Sequence, residues 1–380
     1  MKNIRILYIG RDTGFTGGIE RYAWESAGLI RARGGRVDWF GTAPGRDEAL
    51  FRSGFDAVLD GGIPAGAGRE YDLAVLHKLC APELLNDWRE MFGERLVFMA
   101  HDHDVYCPRR HYYTPFGRRN CRRSYSCLRC GICSRITRPG RKRPTVGSPG
   151  AILAALRDHH AAVLSEYMRG NLLRNGFREE RLHILPPVIP VSETGRARRR
   201  DEIFHLLFLG QLIRGKGVDL MLQALKLLKT PWRAVIAGDG ADRPMLEALA
   251  VRCGIADRIE FTGWLTDPEP CFGACDAAVF PSRWQEPFGM AGAEALAHGL
   301  PVAAFDTGGV REWLEDGVNG FAVPERDVPA LAEKIELLAR NPDLAQRMGA
   351  AGREIVRERF APENFIAALR TLLAQTGGGR

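Results

Sequence analysis

Short apolar runs alternate along this chain with longer stretches whose apolar residues recur every three or four positions. The runs fall at residues 4–9, 37–41, 73–77, 96–100 and 163–165, then at 206–209, 234–237, 259–262, 277–280, 301–304 and 321–323. Several are near-continuous in Val, Ile, Leu and Phe, as strands buried on both faces must be. Between them lie helical patterns such as residues 18–32, where Ile19, Ala23, Ala27 and Ile30 fall on one face. Strand and helix in alternation predict an α/β chain with parallel sheets.

The alternation breaks at residues 186–200, PPVIPVSETGRARRR, whose Pro, Ser, Thr, Gly and arginine run reads as an interdomain linker. We therefore expect a first domain over 1–190, a second over 201–361, and a final helix from 362 that packs back on the first. Two such domains facing each other leave a cleft at the carboxyl ends of both sheets, where α/β folds bind ligands.

Composition adds two constraints. The 380 residues include 45% apolar and 26% charged, which suits well-cored soluble domains, and no run of eighteen apolar residues predicts a membrane span. The start, MKNIRILYIG, reads as a first strand rather than a signal peptide. A cytoplasmic protein, peripheral on the inner face of the membrane, is expected. The net charge of +7 is mild, but residues 105–157 contain thirteen Lys and Arg and no Asp or Glu. Such a stretch predicts an anionic partner.

The most informative segment is 276–323. A strand ending in AAVFPS leads through the loop RWQEPFG to a helix, MAGAEALAHG. The loop delivers Phe288, Gly289 and Met290 to the helix N-terminus, whose free N–H groups and positive dipole end favour a diphosphate. Gly289 lets phosphates approach the backbone. Glu286 on the loop and Glu294 in the helix could accept hydrogen bonds from sugar hydroxyls. Both could equally be ordinary surface charges.

The string PSRWQEPFGMAGAEALAHGLPVAAFDTGGVREWLEDGVNGF resembles the Glu-x7-Glu block of the retaining GT-B glycosyltransferases, family 4. The resemblance runs through residues 206–360, with GDG at 238–240 and FTGWL at 261–265 similar to nucleotide-contacting loops. It is weaker in the first half, through TGGIERY at 16–22 and the strand ending in His101 and Asp102. It implies two Rossmann-like domains and sugar transfer with retention; Lys216 and the helix-terminal amides could stabilise the leaving diphosphate, so no catalytic metal is expected. By the resemblance Glu294 holds the nucleotide ribose, Glu286 contacts donor-sugar hydroxyls, and Lys216 neutralises the diphosphate. Gly238 belongs to the nucleotide-binding set. Gln211 stands where the family usually has Arg; Arg214 either supplies the missing charge or is a solvated loop residue. UDP- or GDP-sugars are the expected donors, and a lipid-linked or other glycan is the expected acceptor.

On the acceptor side, His101 either binds substrate, manages a proton, or is a core histidine. Asp102 and Asp104 also fit a short Asp-x-Asp metal pattern, which is the weaker reading. Gly17 and Gly18 open a helix and either let the diphosphate or acceptor approach or serve helix entry alone. The cysteines Cys107, Cys121, Cys127, Cys130 and Cys133 cluster in an insert over about 105–147, which begins Cys-Pro-Arg as in some family relatives. Cys107, Cys121, Cys127 and Cys130 are expected to hold a structural zinc, with Cys133 outside the set; an iron–sulfur cluster and free thiols are the alternatives. Cys80, Cys253, Cys271 and Cys275 read as small core residues.

The leading expectation is a glycosyltransferase for cell-surface polysaccharide or lipopolysaccharide. A sugar-nucleotide epimerase would keep the donor site without an acceptor. A zinc-dependent nucleic-acid-binding protein would use the Arg and Cys cluster, but it leaves the Glu-x7-Glu block unexplained, so nucleic acid is not an expected partner.

Overall fold

The computed structural model describes residues 1–78, 82–109, 112–114, 119–137, 149–192 and 203–377. Cys80, Arg110, Arg118, Arg138, Arg141, Lys142, Arg143 and the linker from 193 to 200 lie outside the described residues, as does the side chain of Arg135. The chain forms two compact units, one of residues 1–188 and 362–380, the other of residues 189–361.

In the first unit the strands are β1 (Arg5–Ile9), β2 (Asp12–Thr13), β3 (Arg36–Phe40), β4 (Ala43–Pro44), β5 (Ala57–Val58), β6 (Leu73–Leu76), β7 (Leu96–Ala100), β8 (His160–Val163) and β9 (Leu182–Ile184). Seven build one parallel sheet in the order β5-β3-β1-β6-β7-β8-β9, while β2 and β4 pair separately. The centre of the sheet is the most apolar: β6 (LAVL) and β7 (LVFMA) are buried throughout. Their register sets Leu76 beside Phe98, so both strands deliver their next residues to one edge. The helix Gly18–Arg31 buries Tyr22, Ala23, Ala27 and Ile30, the period of a helix lying on a sheet. The closing helix Pro362–Gln375 buries Phe365, Ile366, Leu369, Leu372 and Leu373, and Phe365 meets Tyr22 at 6.4 Å between ring centres.

The second unit holds β10 (Phe204–Leu209), β11 (Trp232–Ala237), β12 (Ile259–Gly263), β13 (Ala277–Phe280), β14 (Val302–Phe305) and β15 (Gly320–Val323). All run parallel, in the order β12-β11-β10-β13-β14-β15. Their core joins Leu206, Phe208, Ile236, Val279 and Phe305 to the helix faces of Met221, Leu331 and Ile335.

One sequence expectation shifts locally. The run at 163–165 forms a strand earlier, at His160–Val163, because His160 pairs in register with Val97. Ser165 instead caps the next helix, accepting from the Met168 N–H at 3.1 Å. The short strands β2, β4, β5 and β9 are two or three residues long, too short for a hydrophobic pattern to announce them.

Candidate functional site

In the second unit, the turn at residues 213–217 and the loop at 281–289 are tied together. Arg283 grips Asp219 through both terminal nitrogens, at 2.6 and 2.5 Å, and also donates to the Arg214 carbonyl at 2.8 Å. The Arg283 N–H reaches the Gly215 carbonyl at 2.8 Å. Gly215 admits the Trp284 ring against its α-carbon; a Cβ there would lie 1.8 Å from the ring. Gly217 turns with φ of 73°, and a Cβ would lie 1.9 Å from the Pro281 carbonyl oxygen. Only glycine combines that φ with that approach.

This packing places Lys216 Nζ 2.7 Å from Glu286 Oε1, with Ser282 Oγ donating to the same oxygen at 2.6 Å. Glu286 is 6% exposed and Lys216 half-buried. The Glu286 carbonyl accepts from the Gly309 N–H at 2.7 Å, which fixes the loop from the far side.

The loop then enters the helix Met290–Ala297 through Gly289, whose φ is 90°. No side chain caps this end and no acidic residue lies in its first turn, so its amides and dipole remain suited to an anion. Phe288 is 1% exposed and packs on Phe360 at 5.0 Å, while its carbonyl accepts from Trp313 Nε1 at 2.7 Å. Its side chain is therefore core and does not face a ligand. Met290 and Glu294 are half-buried. Gly238 packs against the Gly210 carbonyl, where a Cβ would lie 1.9 Å away, and bridges to Gly263. Gln211 and Arg214 are exposed on the neighbouring turn. The second unit thus brings Lys216, Glu286 and the Gly289 helix end together, with Gly238 on the parallel loop after β11.

In the first unit, His101 follows β7 and His77 follows β6. His101 Nε2 and His77 Nδ1 share a hydrogen bond of 2.8 Å. Burial, with the charge of Lys78, pushes His101 down to about 3. Burial and the neighbouring His101 hold His77 well below the usual histidine range. Both rings are neutral at physiological pH. Lys78 bonds both Asp102 and Asp104. Burial alone would raise the Asp102 carboxyl, but Lys78 holds it below its usual range. The two aspartates of the Asp-x-Asp pattern thus have an internal cation. Gly17 and Gly18 begin the helix Gly18–Arg31 without a side-chain cap, but Glu20 in that first turn is buried. Burial raises the Glu20 carboxyl.

Within the insert, Cys107 is buried, Cys121 and Cys130 are half-buried, and Cys127 is exposed. Burial pushes the Cys107 thiol up to about 11, with the thiols of Cys121 and Cys130 adding to it. The Ser126 N–H points to the Cys130 sulfur at 3.4 Å, and the Arg109 guanidinium lies 3.9 Å from that of Cys133. Among the described residues no group of three or more His, Cys, Asp or Glu side chains is set to hold a metal ion, and no cysteine is in a disulfide. Cys275 is buried, while Cys253 and Cys271 are half-buried.

Sequence reasoning missed His77 and Lys78. Each is unremarkable in its own segment; the signal lay in adjacent buried strands, β6 and β7, ending in His-Lys and His-Asp-His-Asp.

Two parallel α/β units of this kind define the GT-B glycosyltransferase fold. A structure of HepE from Anabaena in complex with UDP and glucose is similar at a TM-score of 0.77 and 19% identity, over 98% of this chain and 100% of that one. A sucrose-phosphate synthase from Thermosynechococcus elongatus is similar at 0.72 and 20%, over 98% and 99%. Residues 195–355 match the family described as Glycosyl transferases group 1. The D-inositol 3-phosphate glycosyltransferase of Xylanimonas cellulosilytica is 30% identical over 258 residues, 60% of this chain and 58% of the relative. A GDP-mannose-dependent phosphatidylinositol monomannoside mannosyltransferase of Mycobacterium tuberculosis is 34% identical over 193 residues, 48% of this chain and 50% of the relative. The chain thus spans about half the length of the curated relatives it matches.

Proposed function

We propose that this chain is a glycosyltransferase that moves a sugar from a nucleotide-diphosphate donor, a UDP- or GDP-sugar, to an acceptor. The observation that carries the proposal is the Lys216–Glu286 pair beside the helix end at Gly289. A sugar nucleotide joins a ring of hydroxyls to a diphosphate through a single anomeric C–O bond. A carboxylate and an ammonium side by side, next to free helix amides, match that pairing of groups.

In this reading Glu286 accepts from donor-sugar hydroxyls and Glu294 holds the ribose. Lys216 and the amides of Gly289 and Met290 receive the diphosphate, with Gly238 and Arg214 at its margin. As the anomeric C–O bond breaks, the sugar becomes oxocarbenium-like and the leaving diphosphate gains charge. Lys216 and the helix end stabilise that charge without a divalent ion. Transfer proceeds with retention, by same-face attack of the acceptor hydroxyl. His101 serves substrate binding. The relatives described above are transferases, which favours this reading over an epimerase.

The acceptor is a lipid-linked or cell-surface glycan. No helix among the described residues is long and apolar enough to cross a membrane. We propose that the insert docks on an anionic membrane surface instead. Arg119, Arg122, Arg123 and Arg129 are exposed, and Leu128 and Ile132, four apart on the helix Cys127–Thr137, are 74% and 51% exposed. We also propose a structural zinc held by Cys107, Cys121, Cys127 and Cys130, whose thiols the metal would draw together.

The functional test is a screen of UDP-, GDP-, ADP- and CMP-sugars by thermal shift, followed by transfer to an acceptor extract. Stabilisation by one nucleotide class with acceptor-dependent release of its nucleoside diphosphate supports the proposal; hydrolysis or epimerisation without any acceptor product refutes it.

A further inference from the structure

His77 lies one residue beyond β6 and is 2% exposed; His101 lies one residue beyond β7 and is 8% exposed. Their rings stack at 5.1 Å and 20°. The 2.8 Å bond between His77 Nδ1 and His101 Nε2 requires one N–H and one lone pair. The remaining nitrogen of His77, Nε2, is buried and has no hydrogen-bond partner among the described residues. The centre of the His77 ring lies 4.4 Å from that of Tyr8 and 6.2 Å from that of Trp39. The Tyr8 hydroxyl is already engaged with Ser26, and Trp39 Nε1 is a donor that also has no partner among the described residues.

These surroundings choose the tautomer. If His101 donated, His77 would carry its proton on Nε2, a buried N–H facing no acceptor. If His77 donates from Nδ1, only a bare lone pair is left, beside the Trp39 ring, whose own unpartnered nitrogen is a donor. Buried N–H groups are rarely left orphaned. With its Nε2 occupied as an acceptor, His101 carries its own proton on Nδ1.

We propose that His77 is a positioning residue that fixes His101 as the Nδ1–H tautomer, making His101 a hydrogen-bond donor to substrate oxygen rather than a proton acceptor. The functional half of this inference rests on the reading that His101 binds substrate; the tautomer does not. The surrounding protein uses one neutral ring to orient another, as outer partners orient catalytic imidazoles elsewhere.

The test is nitrogen-15 NMR of the histidine-labelled full chain at pH 7, with three versions of position 77. In the unsubstituted protein His101 is expected as the single Nδ1–H form; a single Nε2–H form or an even mixture overturns the proposal. His77→Asn keeps an amide donor where Nδ1 stood and should keep the tautomer. His77→Phe keeps an aromatic ring and removes the bond; His101 should then revert to a mixture, and turnover of the nucleotide sugar should fall about tenfold or more. An unchanged His101 spectrum in folded His77→Phe overturns the inference. A changed spectrum with full turnover upholds the tautomer control and refutes the role of His101 in transfer. If His77→Phe fails to fold, the unsubstituted spectrum and His77→Asn still decide the tautomer.

Discussion

Lys216 and Glu286 form an ion pair of 2.7 Å across two loops that are seventy residues apart in sequence. Their proximity depends on the Arg283–Asp219 clamp and on two glycines at Gly215 and Gly217. Removing Lys216 leaves a buried carboxylate whose Oε1 keeps only the Ser282 hydroxyl as a side-chain partner among the described residues. Lys216→Met should therefore lower stability by about 1–3 kcal/mol as well as turnover. Lys216→Met combined with Glu286→Gln should regain most of the stability and none of the activity. Denaturant unfolding and steady-state rates check both; a Lys216→Met protein with unchanged stability and turnover contradicts the pairing.

Gly215→Ala drives a methyl group into the Trp284 ring, 1.8 Å from its nearest atom. The clash displaces the turn that carries Lys216. Donor binding should weaken more than tenfold while the first unit's histidines keep their NMR signals. Equal donor affinity in Gly215→Ala would show that the turn does not hold Lys216 in place.

Buried His101 and half-buried His183 make stability depend on acid. His101 is pushed down to about 3 and His183 to about 4, against an unfolded value near 6.5. Between those limits the unfolded chain binds more protons than the folded one. Stability is full above about pH 6.5 and falls as pH drops toward 4, with a slope of up to about 1.4 kcal/mol per pH unit from His101 and a smaller, solvent-screened share from His183. Urea midpoints at pH 7, 6 and 5 should fall in that order, and His101→Asn should flatten the trend. A midpoint that is constant or rises on acidification contradicts the burial argument.

The strands and the loop–helix segment that carries Glu286 and Glu294 were legible because their signals are local. Apolar runs at 96–100 and 277–280 coincide with β7 and β13, and the loop and helix from Glu286 to Glu294 occupy one short stretch. The His77–His101 bond was not legible, since strand neighbours are chosen by the whole sheet. The side-chain direction of Phe288 was hidden for a related reason: Phe360 and Trp313, which bury and hold it, come from distant segments. The clamp of Arg283 on Asp219 needed the same long-range information.

The insert gives two separable expectations. Purified protein should carry about one zinc per chain, and Cys127→Ser should reduce stability more than intrinsic turnover. Elemental analysis finding iron replaces zinc with a cluster, and finding no metal after reducing purification removes both.

Docking on membranes should appear as co-sedimentation with anionic liposomes that fades as salt rises. Replacing Arg119, Arg122, Arg123 and Arg129 with Ser should weaken it at low salt, and Leu128→Ser with Ile132→Ser should weaken what remains at high salt. Equal binding to neutral liposomes, or none to anionic ones, contradicts a charge-guided surface.

The central claim is a nucleoside-diphosphate site built from Lys216, Glu286, Glu294 and the helix end at Gly289. Calorimetric titration of UDP and GDP in the presence of EDTA measures it most directly. One of the two should bind without a divalent ion, with Glu294→Ala weakening it by about 1–3 kcal/mol. Failure of both to bind, or binding that Glu294→Ala leaves unchanged, would contradict it.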